Sequence, residues 1–214
     1  MMSILIGITQ RIDKINAYDE WRDSVDQRLV DWVIDAGFIP VLIPNSLVNA
    51  LSESSSHPLL EQWLNVLNID ALLLSGGNDI GVATKRDITE NFILNWAEKH
   101  NKPVLGICRG MQMMGLHFGG KLIKVSGHVN TRHKLQVDRV SKIKSVESVN
   151  SYHNYALEGC PDVFSVLAKS EDGNIEAIRH RELPWEAWMW HPEREGRFEI
   201  SHLERFKRLI NNGQ

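Results

Sequence analysis

Short apolar runs alternate with longer amphipathic segments over the first 118 residues of the chain. The compact apolar runs predict buried strands at residues 3–9, 38–43, 69–74 and 104–107. Apolar residues that recur at spacings of three and four predict helices at residues 19–36, 59–67, 87–99 and 111–118. Alternation of strand and helix is typical of βαβ units. We therefore expect an α/β fold with a doubly wound, mostly parallel central sheet flanked by helices.

The pattern changes after about residue 120, where short apolar segments are separated by turn residues. These segments predict strands at residues 121–125, 135–140, 164–168, 175–178 and 185–190. Asp172 and Gly173 form a strong hairpin signal, so the strands around them should pair antiparallel. A helix is predicted to close the chain at residues 200–210. Because nothing interrupts this half, residues 1–214 are interpreted as a single domain whose sheet has an antiparallel extension.

Composition and charge narrow the classes of function. The 24 Lys and Arg residues against 27 Asp and Glu give a net charge of −3, which argues against a broadly basic nucleic-acid binder. The apolar runs are too short to span a bilayer, and the N-terminus lacks the pattern of a secretory signal. Two cysteines do not make a disulfide framework. We expect a cytoplasmic protein with reduced thiols and neither a nucleic-acid nor a membrane partner.

The sharpest local motif places Cys108 between Gly106 and Gly110, directly after a predicted strand and before a predicted helix. This is the pattern of a nucleophile elbow, with Cys in place of Ser. The glycines allow a sharp turn, and the helix N-terminus favours the thiolate. The backbone N–H of Arg109 is placed to serve as an oxyanion donor. From these five residues alone, a buried structural cysteine is about as well supported as a nucleophile.

Two further motifs follow predicted strands. His191 and Glu193 flank a proline that favours extended backbone, so their side chains are expected on the same side of the chain. The pair fits a general base and the group that orients it. Gly76 and Gly77 end another strand, where backbone N–H groups can approach a ligand closely. Taken singly, an exposed His-Pro turn and a plain β-turn are the more common readings of these motifs.

Together these motifs resemble the class I glutamine amidotransferase-like superfamily, which includes free-standing γ-glutamyl hydrolases. The resemblance covers essentially the whole chain. It implies that Cys108 attacks a γ-glutamyl carbonyl to form a thioester, His191 shuttles protons and Glu193 orients His191. It also implies that the backbone of Gly77 and Arg109 forms the oxyanion hole. Substrate contacts are predicted at Gly76, Gln112, Asn150, Ser151, His153, Arg11 and Arg132.

Two details favour a hydrolase within this superfamily. Arg109 follows the candidate nucleophile, and many γ-glutamyl hydrolases resemble this chain in having Arg at that position. The segment from Asn150 to His153 resembles their Asn-Ser-x-His segment. Met189 departs from the family, in which Gln often precedes the Trp-His-Pro-Glu motif. Two alternatives stay open: a glutaminase subunit that supplies ammonia to a separate synthase, and a non-enzymatic redox sensor. Because His191 is intact and no synthase domain is fused, we expect a hydrolase with no obligate synthase partner.

The leaving group is predicted to be anionic, because arginine guanidinium groups pair well with phosphate oxygens. Arg11, Arg109, Arg132 and Arg194 lie near predicted carboxyl ends of strands, whereas surface positions are the preferred interpretation of Lys85 and Arg86. The start and end motifs are similar to bacterial hydrolases of capsular phosphoramidate synthesis, which implies a nucleotide phosphoramidate leaving group.

No cofactor and no metal are expected. His128 and His133 are interpreted as surface residues, because no carboxylate or third histidine follows at ligand spacing. The acidic and basic residues of the helix at 87–99 are interpreted as a solvated face, and Cys160 as an inert turn residue. The tryptophans at 185, 188 and 190 are expected to pack in the core. The expected partners are a small-molecule γ-glutamyl substrate and, as one option, a second copy of the chain.

Overall fold

The computed structural model describes residues 3–50, 56–137 and 148–211. Its helices are α1 (Gln27–Asp35), α2 (Pro58–Val66), α3 (Thr84–Lys99), α4 (Arg109–His117) and α5 (Ile200–Asn211). The strands of the first half are β1 (Leu5–Thr9), β2 (Arg11–Ile15), β3 (Glu20–Ser24), β4 (Ile39–Ile43), β5 (Ala71–Leu74) and β6 (Val104–Ile107). Those of the second half are β7 (Leu122–Lys124), β8 (Val129–His133), β9 (Leu135–Val137), β10 (Val149–Tyr152), β11 (Tyr155–Leu157), β12 (Phe164–Ser170), β13 (Ile175–His180) and β14 (Trp185–Trp188).

The central sheet has eight strands in the order β4-β1-β5-β6-β14-β13-β12-β9. The first five in that order are parallel, and helices flank the sheet, as the sequence predicts. Every residue of β5 and β6 is buried, which explains why these strands are apolar without alternation. Because the strands are parallel, their carboxyl ends lie at one edge, which is where ligand sites form in such sheets.

The antiparallel extension of the sheet is also confirmed. Strands β12 and β13 form a hairpin whose turn contains Asp172 and Gly173, and Gly173 has φ +88°. Strand β14 joins the extension to the parallel part, because it pairs antiparallel with β13 and parallel with β6. Trp185, Trp188 and Trp190 are buried, as expected of core residues.

The predicted helix at 19–36 is wrong in its first part. Residues 20–24 form β3, which pairs with β2 in a separate hairpin, and α1 begins only after Asp26. The Asp26 side chain accepts a hydrogen bond from the N–H of Arg28 and so caps the helix. Trp21 is 68% exposed, so its helical spacing to the residues that α1 buries is coincidental. The apolar period therefore identified α1 but not its start.

Smaller differences concern the ends of elements. Helix α3 begins at Thr84 rather than at residue 87, and β14 ends at Trp188 rather than at residue 190. The predicted strand at 135–140 is present as β9, while residues 138–140 lie outside the described residues. None of the helices in the described part of the chain is long and apolar enough to cross a membrane.

Candidate active site

Cys108 lies in a strained turn between β6 and α4. Its backbone has φ 51° and ψ −103°, a conformation that non-glycine residues seldom adopt. Gly106 and Gly110 make the turn sterically feasible: a Cβ at Gly106 would lie 2.7 Å from Sδ of Met114, and one at Gly110 would collide with the carbonyl oxygen of Leu74. The sulfur therefore stands at the N-terminus of α4, at the carboxyl end of β6.

His191 and Glu193 form a buried pair after β14. Nδ1 of His191 lies 2.6 Å from Oε1 of Glu193, and both residues are 2% exposed. Asn150 holds the backbone of His191 on both sides, because its amide oxygen accepts from the His191 N–H at 2.9 Å and its nitrogen donates to the His191 carbonyl at 2.8 Å. The imidazole is thus fixed in position by its side chain and by its backbone.

Gly76 and Gly77 follow β5 and bring the third segment to the site. A Cβ at Gly76 would lie 2.5 Å from Cε1 of His191, so only glycine permits this approach. Gly77 has φ +103°, and a Cβ there would collide with the side chain of Arg11. Arg11 does not end β1 as the sequence indicates; it begins β2 and packs over Gly77. The loop thus contacts His191 directly and borders the cavity that contains Cys108.

The pKa of His191 is raised to about 9. Burial alone lowers it, but the negative charges of Cys108 and Glu193 and hydrogen bonds to both residues outweigh burial. The electrostatics therefore favour the protonated imidazolium form of His191 at neutral pH. A cysteine beside a protonated histidine is an arrangement that can supply a nucleophile and a proton donor.

A cavity of about 240 Å³ opens over Cys108. A cavity of this volume can hold a small ligand group. The lining residues are Gly77, Asn78, Asp79, Cys108, Arg109, Gln112, Tyr152, His153, Asn154, His191 and Arg194.

The sequence places Arg109 among the arginines expected to bind an anionic leaving group, but the structure shows its side chain in other contacts. Its side chain is buried and forms ion pairs with Glu90 and Asp87, so the guanidinium is held by carboxylates. Arg86 pairs with the same Glu90, at 2.9 Å, and donates to the carbonyl of Ser75 at 2.6 Å. The surface interpretation of Arg86 is therefore wrong, and so is the solvated-face interpretation of Glu90 on α3. Both terminal guanidinium nitrogens of Arg109 are thus directed at carboxylates, and its buried Nε has no hydrogen-bond partner within the described residues.

Several predicted substrate contacts are used within the protein instead. Asn150 positions His191, and Ser151 is fully buried and donates to the carbonyl of His128 at 2.7 Å. Arg132 pairs with Glu195 at 3.1 Å and does not line the cavity. These contacts argue against direct substrate binding by all three. Gln112 and His153 also make internal contacts, to the carbonyl of Tyr155, but both line the cavity.

Arg194 is the cavity residue that sequence reasoning undervalued. It lines the cavity, and its guanidinium lies 4.8 Å from the ring centroid of Tyr152. Its ion pairs to Asp26 and Glu193 are long, at 3.9 and 3.8 Å. The signal was available, because Arg194 directly follows the Trp-His-Pro-Glu motif.

His128 and His133 are not isolated surface residues. His128 is 1% exposed, and both histidines lie with His153 and Glu176 in one cluster. The sequence predicts no metal site here, because no carboxylate or third histidine lies close to His128 and His133 in the chain. The fold supplies the other two side chains from β13 and from the segment after β10. Local spacing is thus a poor guide to this cluster.

Comparison with known proteins identifies the class. The Peptidase C26 family model matches residues 4–193, and the chain belongs to that family, as its resemblance to class I glutamine amidotransferases predicts. The chain is 30% identical over 200 residues to the γ-glutamyl-CDP-amidate hydrolase of Campylobacter jejuni. This alignment covers 90% of this chain and 91% of that protein. It is 31% identical over 157 residues to a glutamine-hydrolysing GMP synthase subunit of Methanococcus maripaludis, which covers 72% of this chain and 76% of that protein.

A solved structure shares the fold. It is the crystal structure of a protein from Thermoplasma acidophilum that is provisionally named as a GMP synthase subunit. Its TM-score to this chain is 0.71 at 22% sequence identity, and the match covers 100% of this chain and 95% of the other.

Proposed function

We propose that this protein hydrolyses a γ-glutamyl amide through a thioester on Cys108. The observation that carries the proposal is that Cys108, in a strained elbow, and His191, which is paired with the buried Glu193, border the same cavity. A cysteine nucleophile needs a base, and the base needs an orienting group. Membership in the Peptidase C26 family supports the same chemistry.

In this mechanism the Cys108 thiolate attacks the γ-carbonyl carbon. The N–H groups of Gly77 and Arg109 stabilise the resulting oxyanion. His191 then donates its proton to the leaving nitrogen, the C–N bond breaks and the acyl thioester remains. His191 next accepts a proton from water, and the hydroxide attacks the thioester to release glutamate and regenerate the thiolate. Glu193 keeps the imidazole in the required orientation throughout.

The leaving group that we propose is a nucleotide phosphoramidate. The similarity to the γ-glutamyl-CDP-amidate hydrolase of Campylobacter jejuni supports this choice. Within the cavity, Arg194 is the cation placed to meet phosphate oxygens, because Arg109 is held by buried carboxylates. Arginine pairs with phosphate through parallel N–H groups. The anion site is therefore assigned to Arg194 in place of Arg132.

The test is to incubate the purified protein with glutamine, neutral γ-glutamyl amides and γ-glutamyl nucleotide phosphoramidates, and to measure glutamate and ammonia separately. We expect glutamate release to be fastest from the phosphoramidates and slow from glutamine, because remote binding energy can accelerate the chemical step. Rapid ammonia release from glutamine without a partner would contradict this substrate class. Ammonia release that appears only with an added synthase would favour the glutaminase alternative, to which the Methanococcus relative points.

Replacement of single arginines tests the leaving group. Arg194→Ala should lower kcat/KM for phosphorylated amides by about 10- to 150-fold, on the order of 1.5–3 kcal/mol, and leave neutral amides nearly unchanged. Arg132→Ala is the matched control, since its guanidinium is paired with Glu195 outside the cavity. Equal effects of Arg194→Ala on both substrate classes would remove the basis for an anionic leaving group.

A further inference from the structure

Four side chains converge next to the cavity from segments far apart in the chain: His128, His133, His153 and Glu176. Each offers one ligand atom, and these atoms lie within 4.8 Å of one another. We propose that the four residues form a Zn²⁺ site, which is a function separate from the hydrolysis proposed above. Three imidazole nitrogens and one carboxylate oxygen are ligands that Zn²⁺ commonly takes.

The spacing of the ligand atoms fits tetrahedral coordination. Zinc bonds of about 2.0–2.1 Å place neighbouring tetrahedral ligand atoms about 3.3–3.4 Å apart. Nδ1 of His128 lies 3.3 Å from Nε2 of His153, and these atoms lie 3.8 and 3.7 Å from Oε1 of Glu176. An ion would thus need only a small contraction among these three ligand atoms, while the full set of four lies within 4.8 Å.

Hydrogen bonds on the outer side of the cluster fix which nitrogens face inward. Nε2 of His128 lies 2.8 Å from a carboxylate oxygen of Asp172, and Nδ1 of His153 lies 3.0 Å from the carbonyl oxygen of Tyr155. Both oxygens are acceptors, so both outer nitrogens carry protons. In the neutral rings, the inward nitrogens then present lone pairs to each other. Metal-ligating histidines typically make such outer bonds to a carboxylate or a backbone carbonyl.

The cluster also contains buried polar atoms that lack partners. Glu176 is completely buried, and neither of its carboxylate oxygens has a hydrogen-bond partner. Nε2 of His133 is buried without a partner as well. A buried carboxylate is costly unless it is paired or coordinates a metal. A cation among these atoms would satisfy the oxygen and the lone pairs together.

The proposed role of the ion is structural. Four protein ligands close the coordination sphere, whereas a catalytic zinc keeps one position open. The ion would join β8 and β13 to the end of β10, where Tyr152 and the following His153 border the cavity. The carbonyl of Tyr155 accepts from His153 and also from Gln112, at 2.8 Å, so the ion would stiffen this wall of the cavity.

The experiment measures metal content and stability rather than turnover. Untagged protein is stripped with a chelator, titrated with Zn²⁺ and assayed for bound metal by elemental analysis, and Co²⁺ is used as a spectroscopic probe. We expect one ion per chain, the intense visible absorption of four-coordinate Co²⁺, and a Tm that rises by about 5–10 °C when Zn²⁺ exceeds its Kd a hundredfold. No binding by the stripped, folded protein would overturn the proposal.

Variants locate the ion. Glu176→Gln and His133→Gln should lose stoichiometric binding and the Tm response, whereas His100→Gln, at an exposed histidine outside the cluster, should keep both. Cys108→Ala should also retain the ion, which separates this site from the candidate nucleophile. Unchanged zinc binding by a folded Glu176→Gln or His133→Gln variant would overturn the assignment, as would loss of zinc in Cys108→Ala alone.

Discussion

Glu90 and Glu176 are both completely buried, yet their surroundings are opposite. Both oxygens of Glu90 accept hydrogen bonds: one from Thr9 and Arg86, at 2.9 Å each, and the other from Arg109. Burial raises the pKa of Glu90, but the two guanidinium groups outweigh it and hold the pKa below its usual value. Neither oxygen of Glu176 has a hydrogen-bond partner. One carboxylate is therefore compensated by two guanidinium groups, whereas the other faces imidazole nitrogens of His128 and His153 at 3.8 and 3.7 Å, beyond hydrogen-bond distance.

The surroundings of the two carboxylates differ on two sides of the same cavity. On the side of Glu90, protein charges neutralise one another and tie the Cys108 elbow, through Arg109, to α3. On the side of Glu176, the wall that contains His153 lies next to the four side chains for which we propose an external cation. The first side should be stable without any additive. The second side should depend on metal, and the catalytic groups should be separable from both.

The largest expected effect concerns chemistry alone. Cys108→Ala should reduce turnover by about four to six orders of magnitude, because the nucleophile is removed, while the unfolding free energy changes little. Steady-state kinetics and thermal unfolding measure the two quantities. Cys160→Ala, at the other cysteine, is the control and should remain active. Substantial turnover by a clean Cys108→Ala preparation would be incompatible with a covalent mechanism.

His191→Ala should impair turnover nearly as much as Cys108→Ala, and Glu193→Gln should be milder by about one to two orders of magnitude. The carboxylate orients and stabilises the imidazolium but transfers no proton itself. Comparison of kcat for the two variants at saturating substrate measures this order. Full activity of both would show that another residue is the base.

Removal of the compensated carboxylate should destabilise the fold. Glu90→Gln leaves Arg86 buried without its carboxylate and Arg109 paired with Asp87 alone, and we expect a loss of about 3–5 kcal/mol in the free energy of unfolding. Denaturant titration measures it. Glu98→Gln, at an exposed position of the same helix, should change stability by less than about 0.5 kcal/mol.

The substitution Glu176→Gln tests whether the two buried carboxylates, Glu90 and Glu176, differ in how they are compensated. In chelator-stripped protein it should not destabilise the fold, because no hydrogen bond to Glu176 is lost. A cost as large as that of Glu90→Gln in metal-free protein would mean that the two carboxylates are compensated alike. The same denaturant titration, with and without Zn²⁺, makes the distinction.

The last expected effect is a dependence of stability and activity on pH. The pKa of His191 is raised to about 9 in the folded protein, so its protonated form stabilises the fold. This stabilisation should be fully present below the ordinary histidine pKa of about 6.5 and should be lost as pH rises through about 9. The kcat/KM should fall over the same upper range, since the proton donor is lost. His191→Gln should flatten the stability profile above neutral pH.

The sequence predicts structure best where a local conformation requires a particular residue type at a particular position. The elbow around Cys108 and the strands β5 and β6 follow from glycine spacing and continuous apolar runs. The start of α1 was missed because Trp21 keeps helical spacing by coincidence and lies in a hairpin.

Pairing between distant residues could not be predicted in this way. The partners of Arg109 stand about twenty residues away on another helix, and His128 meets Glu176 only through the pairing of separate strands. A charged residue can be buried only where partners surround it. When those partners are distant in the sequence, they are known only once the topology of the fold is known. The interpretation of Arg86 as a surface residue was wrong for the same reason.

The most direct test of the central proposal is the intact mass of the protein during turnover of a slow γ-glutamyl amide. The mechanism predicts a transient adduct with the mass of one γ-glutamyl group, located on the peptide that contains Cys108 and absent from Cys108→Ala. Because water attacks the acyl carbon, label from ¹⁸O water should enter the released glutamate. Turnover with no adduct under rapid quenching, or an adduct that persists in Cys108→Ala, would contradict the proposed nucleophile.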